Sequence, residues 1–434
     1  MIPIIRTDKK DALEKVLTRT QFDYADVNET VSMIVNDVKE NGDEAAIRYT
    51  RQFDSETLET FKVSKKSVED AFERTEDALK DDLEKAARNI RDFHRDQAPV
   101  SRTLKDEDGI ILSEKVRAIR TVGIYIPGGT AAYPSTVLMN AIPAKIAGVG
   151  RIVMITPPLP DGSIKDSLLV AAKISGVDEI YAIGGAQGIA ALTYGTESIP
   201  KVDKIVGPGN LYVAMAKRMV SGYVGIDMVA GPSEILILAD ASTNPAYAAA
   251  DMLSQAEHDP YAAAIVLAST EEVAKTIKEQ ALKQAKTLER QTIIEESLSR
   301  NSAIIVTEST DEMITIANRF APEHLEILLE DPVPIIERIE NAGAVFVGPY
   351  TPEPVGDYFA GPNHTLPTSG SARFSSALSS RDFIKITTVT HYSKDALKTS
   401  GASIINIALE EGLTAHARAV RLRMEDDKWH SNKP

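Results

Sequence analysis

The chain has 434 residues, and 48 Lys and Arg against 63 Asp and Glu leave a formal charge of −15. An apolar fraction of 43% with 26% charged residues excludes disordered and fibrous classes, and the length predicts two to four domains. The acidic balance opposes nucleic acid or an anionic membrane as partner, and the absence of cysteine excludes disulfides, thiolate metal sites and a cysteine nucleophile.

In chain order, the segment 64–97 carries Val68, Phe72, Leu79, Leu83, Ala86, Ile90 and Phe93 at helical spacing, which predicts amphipathic helix with His94 among the solvated residues. From Val122 onward the texture becomes short apolar runs, glycine turns and alanine-rich helices. Strands are expected at 122–126, 152–155, 179–183 and 202–206, with helices at 136–147, 166–174, 189–194 and 211–220. Four such alternations predict parallel βαβ units. A second α/β series follows, with strands at 235–238, 263–267, 303–306 and 344–347 and helices at 245–257 and 271–287. Residues 349–380 are rich in Gly, Pro, Ser and Thr, and a loop of that length is expected to be functional. The end of the chain reads as a strand at 384–390, a short helix at 395–397, a longer helix at 404–424 and a polar tail containing Trp429 and His430.

The expected fold is α/β, with two Rossmann-like parallel-sheet domains, one inserted in the other, plus a small N-terminal helical segment and a C-terminal α+β unit. The boundaries are 1–20 for the N-terminal segment, 21–121 with 235–380 for a discontinuous first domain, 122–234 for the insertion, and 381–434 for the C-terminal unit. The early helices are expected to pack on the second α/β half. No apolar run reaches the roughly 20 residues of a membrane span, and the N-terminus meets charge too early for a secretory signal. The expected location is the cytoplasm.

Several groups could carry chemistry. Gly184–Gly188 and Gly207–Asn210 each follow a strand and open a helix, where backbone N–H groups can hold a diphosphate; tight βα turns use glycine for its backbone freedom as well. Gln255 and His258 are three apart in a helical stretch, so both project from one face. Together with Asp357, His364 and His416 they would suit Zn²⁺, bound by amide, imidazole and carboxylate. Glu257 and Asp259 are equally eligible by residue type. Glu323 and His324, at an expected helix terminus, would point about 100° apart and serve as acid and base on different atoms. Glu411 reads as an exposed helical carboxylate, and His391 as part of a strand surface.

Nine segments in order resemble the histidinol dehydrogenase family. They are Val122-Gly-Ile-Tyr-Ile-Pro-Gly-Gly129, Gly184-Gly-Ala-Gln-Gly188, Gly207-Pro-Gly-Asn210, Ala230-Gly-Pro-Ser-Glu234 and Leu253-Ser-Gln-Ala-Glu-His-Asp-Pro260. Ala321-Pro-Glu-His-Leu325, Pro354-Val-Gly-Asp-Tyr358, Gly361-Pro-Asn-His-Thr-Leu-Pro-Thr368 and Glu411-Gly-Leu-Thr-Ala-His416 complete them.

The resemblance implies an NAD-dependent homodimer with one zinc ion per subunit, acting on L-histidinol with an active site shared between subunits. By that resemblance zinc is held by Gln255, His258, Asp357 and His416, and the dinucleotide by Tyr125, Gln187 and Asn210. Glu323 and His324 are then the proton-transfer residues. The substrate meets Ser233, His364 and Glu411, and also Gln255, His258, His324, Asp357 and His416. The rivals are a dehydrogenase of a small anionic polyol on the same scaffold, and a zinc hydrolase using Glu323 as base.

Overall fold

The computed structural model describes residues 2–19, 25–105, 109–128 and 132–425. They fall into two compact units, Met1–Gln97 with Ile119–Phe383, and Ala98–Ala118 with Ile384–Pro434.

The first unit opens with β1 (Ile4–Arg6) and α1 (Lys10–Thr18), followed by α2 (Ala25–Phe53), α3 (Lys65–Arg74) and α4 (Asp77–His94). The stripe expected over 64–97 is thus two helices. The Ser64 hydroxyl accepts the Ser67 N–H to start α3, and extended backbone at Thr75 ends it. His94 is buried at 1% exposure rather than solvated, because it continues the Ala86, Ile90 series at steps of four. Its Nδ1 lies 2.6 Å from Gln97 Oε1.

After β2 (Arg102–Lys105) and β3 (Ile110–Ala118) come β4 (Thr121–Tyr125), α5 (Pro134–Ile146), β5 (Arg151–Thr156), α6 (Asp166–Ser175) and β6 (Glu179–Ala182). They continue with α7 (Gly185–Tyr194), β7 (Lys204–Val206), α8 (Leu211–Val220) and β8 (Gly225–Ile226). Strands β4 to β8 form a parallel sheet in the order β6-β5-β4-β7-β8. Its strands are nearly continuous apolar runs because helices cover both faces. Val31, Val35, Leu83 and Ile90 of α2 and α4 share one core with Ile124, Leu169 and Ile189. The early helices therefore pack on this sheet and not, as expected, on the later half. Helical periodicity identifies a buried stripe but not the sheet that receives it.

The second parallel sheet is built from β9 (Glu234–Ala239), α9 (Pro245–Ala256), β10 (Ala263–Ala268), α10 (Glu271–Ala285), α11 (Gln291–Arg300), β11 (Ala303–Val306) and α12 (Thr310–Phe320). It ends with β12 (His324–Leu328), α13 (Val333–Ile336), β13 (Ala344–Val347) and α14 (Glu353–Tyr358). The order is β1-β11-β10-β9-β12-β13, with β1 added at the edge from the N-terminal segment. Apart from β1, both sheets follow third-second-first-fourth-fifth, so each reverses direction between its first and fourth strands.

In the other unit β14 (Ile384–Tyr392) pairs antiparallel with β3, and β3 with β2, followed by α15 (Lys394–Glu410) and α16 (Thr414–Glu425). Residues 98–118, expected with the first α/β domain, supply two of these three strands. The helix expected at 404–424 is divided at Gly412, whose φ of 72° stops α15 in a left-handed turn. The tail with Trp429 and His430 and the turn residue Gly129 lie outside the described residues. Among the described residues no helix is long and apolar enough to cross a membrane.

Candidate active site

Two places in the first unit gather the candidate residues. One is the carboxyl end of the first sheet, at the switch between β4 and β7. Tyr125 closes β4, and its hydroxyl accepts the Gly185 N–H at 3.4 Å. The turn after β7 is held from below by a buried ion pair between Lys217 and Asp227. Lys217 Nζ donates to the Gly207 carbonyl at 2.9 Å, and the Gly207 N–H donates to Asp227 Oδ2 at 2.8 Å. Gly207 has φ 112°, and a Cβ there would stand 2.2 Å from the Tyr125 carbonyl oxygen, so no other residue fits. Asn210 caps α8 by accepting the Val213 N–H at 3.1 Å. Gln187, buried in α7, donates through Nε2 to Asp54 Oδ2 at 3.5 Å.

Asp54 was not legible as a site residue. It follows α2 in a turn, and the Ser55 hydroxyl donates to the Pro160 carbonyl at 3.0 Å, which holds this turn beside the loop leaving β5. Dinucleotide-binding sheets commonly carry there the acid that takes a ribose hydroxyl. This loop begins Pro157-Pro158-Leu159-Pro160, and the turn carrying Asp54 places a carboxylate beside it from outside the sheet. Burial pushes its carboxyl up to about 6.

The second place is the amino end of the second sheet, at its switch between β9 and β12. Ala321 ends α12 in the left-handed region at φ 50°, and His324 opens β12. The pair Glu323 and His324 thus enters a strand instead of ending a helix. Both are buried, and Glu323 Oε2 lies 3.8 Å from His324 Nδ1. Glu323 Oε2 accepts the Glu234 N–H at 2.9 Å, and the Ser233 hydroxyl bonds the same carboxylate. Burial, with Glu234 and Asp357 nearby, drives the Glu323 carboxyl well above the usual range.

His324 Nδ1 stands 3.0 Å from both the Glu234 carbonyl and Gln255 Oε1. Two acceptors require the proton on Nδ1, which leaves Nε2 as a free base. Nε2 is buried without a hydrogen-bond partner, 3.8 Å from Glu353 Oε1 and 3.9 Å from Asp357 Oδ1. Burial lowers the His324 pKa to about 4, so the ring is neutral near pH 7.

Around this pair, His364 Nδ1 lies 3.0 Å from the Asp357 carbonyl and its Nε2 lies 3.2 Å from Thr136 Oγ1. His258 is past the end of α9, its N–H donating to the Gln255 carbonyl at 3.2 Å, rather than on the same helical face. Burial lowers its pKa, opposed by the nearby Asp357 and Glu257 charges. Cavities of about 470 Å³, lined by His258, Arg290, Tyr133 and Tyr358, and about 550 Å³, lined by Asp357, His364 and Arg381, open beside these residues. Ser233, Gln255, His258, Glu323, His324, Asp357 and His364 are therefore brought to one neighbourhood. Glu411 and His416 belong to the other unit, where both are exposed.

Further buried acids went unread, Glu353 and Glu326 among them. Glu353 on α14 is pushed up to about 10, first by burial and then by Asp357; its N–H donates to Glu326 Oε1 at 2.9 Å. Glu326 in β12 is also driven up by burial and by Asp251. A carboxylate in the run His324-Leu-Glu-Ile-Leu328 was the available signal, since a fully buried strand has no solvated face for it.

His324, Glu353 and Asp357 each offer an atom within 4.8 Å of one another. A buried concentration of carboxylates and neutral imidazoles, with His324 Nε2 and Glu353 Oε1 both orphaned, suits a divalent cation bound by oxygen and nitrogen. Asp357 is common to this group and to the ligand set expected above.

A family model described as histidinol dehydrogenase matches residues 17–424. The histidinol dehydrogenase of Bacillus cereus is 49% identical over 428 residues, covering 98% of this chain and 100% of that one. That of Clostridium acetobutylicum is 48% identical over 418 residues, covering 96% and 97%. A crystal structure of histidinol dehydrogenase from Elizabethkingia anophelis superposes with a TM-score of 0.92 at 38% identity, covering 98% of each chain.

Proposed function

The chain belongs to the histidinol dehydrogenase family, and from that premise we propose that it oxidises L-histidinol to L-histidine in two NAD⁺-dependent steps, the last two of histidine biosynthesis. The observation that carries this reading is the buried Glu323 and His324 pair, with an unprotonated, unpartnered Nε2 facing Asp357. In the first step the alcohol loses its hydroxyl proton to His324 Nε2 and a hydride to NAD⁺, giving L-histidinaldehyde, NADH and H⁺. In the second, water adds to the aldehyde, with Glu323 taking its proton, and the hydrate loses a hydride to a second NAD⁺. The products of that step are the carboxylate, NADH and two protons. A carboxyl with a raised pKa is the stronger base once ionised. Because no cysteine is present, the aldehyde is held without a thioester.

The dinucleotide would lie across the first sheet's switch point against Tyr125, Gln187 and Asn210, with Asp54 on a ribose hydroxyl. Asp54→Asn is expected to raise the KM for NAD⁺ by about tenfold or more, the worth of one hydrogen bond to a charged group, while leaving the melting temperature unchanged or higher. The same KM should climb in the wild type as pH falls through about 6, because protonation removes the charge that strengthens the contact. Initial rates against NAD⁺ at several pH values check both; an unchanged KM in the variant counts against the contact.

Zinc, one ion per subunit, would be held by Gln255, His258, Asp357 and His416 of the partner subunit. When bound it supplies a Lewis acid that orients the amino alcohol. Ser233 and His364 would contact substrate, with Glu411 of the partner subunit meeting its ammonium group. A homodimer is favoured by exposed apolar side chains of the small unit: Ile404 and Ile407 lie on one face of α15, and Ile386 and Val389 on opposite faces of β14, and larger exposed apolar surface is normally covered by a partner. Mixing inactive His416→Ala with inactive His324→Ala protein should restore part of the activity through heterodimers; no recovery after demonstrated subunit exchange would argue for sites made by one chain. The expected location is the cytoplasm.

The deciding experiment is the NADH yield per histidinol, with and without chelator. Two equivalents, abolished by chelation and restored by Zn²⁺, support the reading. Zinc-dependent hydrolysis without NAD⁺ binding would replace it.

A further inference from the structure

Glu234 opens β9 at 3% exposure and occupies an unusual place in the site. Its main chain serves both proton-transfer residues, the N–H donating to Glu323 Oε2 at 2.9 Å and the carbonyl accepting from His324 Nδ1 at 3.0 Å. Its carboxylate makes a second set of contacts, the backbone N–H groups of Ser369 and Glu323 among them. Arg19, just after α1, grips it with a fork. Nε and Nη2 donate to Oε1 and Oε2, the latter at 2.8 Å. Nη2 also donates to the Phe320 carbonyl at 2.7 Å, and the guanidinium carbon lies 3.9 Å from the Phe320 ring centroid. Phe320 is the last residue of α12, three residues before Glu323. One guanidinium therefore joins the strand start that holds the two side chains to the helix end that delivers them.

We propose that Arg19 is a positioning residue for the reaction proposed above: by fixing Glu234 against the end of α12 it sets Glu323 and the Nδ1-protonated His324 in working register. Several observations favour positioning over simple stabilisation. A buried ion pair adds little net stability against an apolar pair of the same shape. A planar two-pronged contact, in contrast, fixes direction as well as distance. Arg19 itself adopts φ 62°, a conformation disfavoured for a residue with a side chain, so the chain is bent to deliver the fork. A displacement of about 1 Å at reacting groups is enough to lose on the order of 10²-fold in rate.

The test compares wild type with Arg19→Lys, which keeps the charge and loses the fork, and with the Arg19→Gln, Glu234→Gln double variant, which removes both charges together. In both variants kcat should fall tenfold or more for histidinol and for histidinaldehyde alike, because both side chains hang from Glu234. The KM for NAD⁺ should stay within twofold, and the loss should persist well below the melting temperature. Wild-type kcat in folded Arg19→Lys, or full recovery in the double variant, overturns the proposal, since either means that charge neutralisation suffices. The imidazole ¹⁵N resonances of His324, identified by their loss in His324→Ala, read the same bond without turnover. Wild type should give the single Nδ1–H form and Arg19→Lys a tautomeric mixture; identical spectra overturn the idea. If wild type fails to reduce NAD⁺ with histidinol, the reaction is misassigned, and the ¹⁵N comparison still decides the role of Arg19.

Discussion

His324→Ala is expected to slow oxidation of both histidinol and histidinaldehyde by on the order of 10²–10⁴-fold, the usual worth of a positioned general base. The free nitrogen of the imidazole faces Asp357 and Glu353, and its proton is pinned to the opposite nitrogen by two acceptors. Removing it also strips those acceptors of their donor, a loss of about 1–3 kcal/mol for buried groups, so the melting temperature should fall. NADH formation is followed with each substrate separately, and exogenous imidazole should restore part of the rate. Near wild-type turnover of either substrate would remove His324 from the mechanism.

Glu323→Gln should separate the two steps. The amide keeps the shape of the side chain but cannot take a proton from water, so aldehyde oxidation falls by roughly 10²–10⁴-fold while alcohol oxidation changes far less. The NADH yield then drops from two per histidinol toward one, and the aldehyde accumulates for trapping by hydroxylamine. Glu323 acts only when ionised, and burial raises its pKa. In the wild type, aldehyde oxidation should therefore increase with pH through that raised value, and the Gln variant should lack this rise. Equal impairment of both steps would refute the division of labour between Glu323 and His324.

The alternation of strand, turn and helix from Val122 to Val220 was readable because each strand is mostly apolar and each turn carries glycine, and α8 begins and ends where the pattern placed it. The sheet at 102–118 was not readable. Strand β3 mixes half-buried and exposed residues with charges, and its partner β14 lies more than 260 residues away. In the same way Glu323 and His324 stood out as titratable neighbours, while their support did not. The Glu234 main chain and the Arg19 fork act across 89 and 215 residues, and a backbone hydrogen bond leaves no trace in residue type. Asp54 escaped for a related reason: its proposed role depends on a turn packed beside a loop about a hundred residues further on.

The second sheet also bears on the order of events during folding. The first and fourth strands of that sheet, β9 and β12, meet only after the 84 residues between Ala239 and His324 have folded back, and β1 must return across nearly 300 residues to reach β11. Closing such long loops is entropically unfavourable and slow, whereas β4, β5 and α5 assemble from near neighbours. During refolding from denaturant, helical circular dichroism should therefore return before catalytic competence. Conditions that retard pairing of β9 with β12 should yield a chain that has most of its secondary structure but cannot yet turn over substrate.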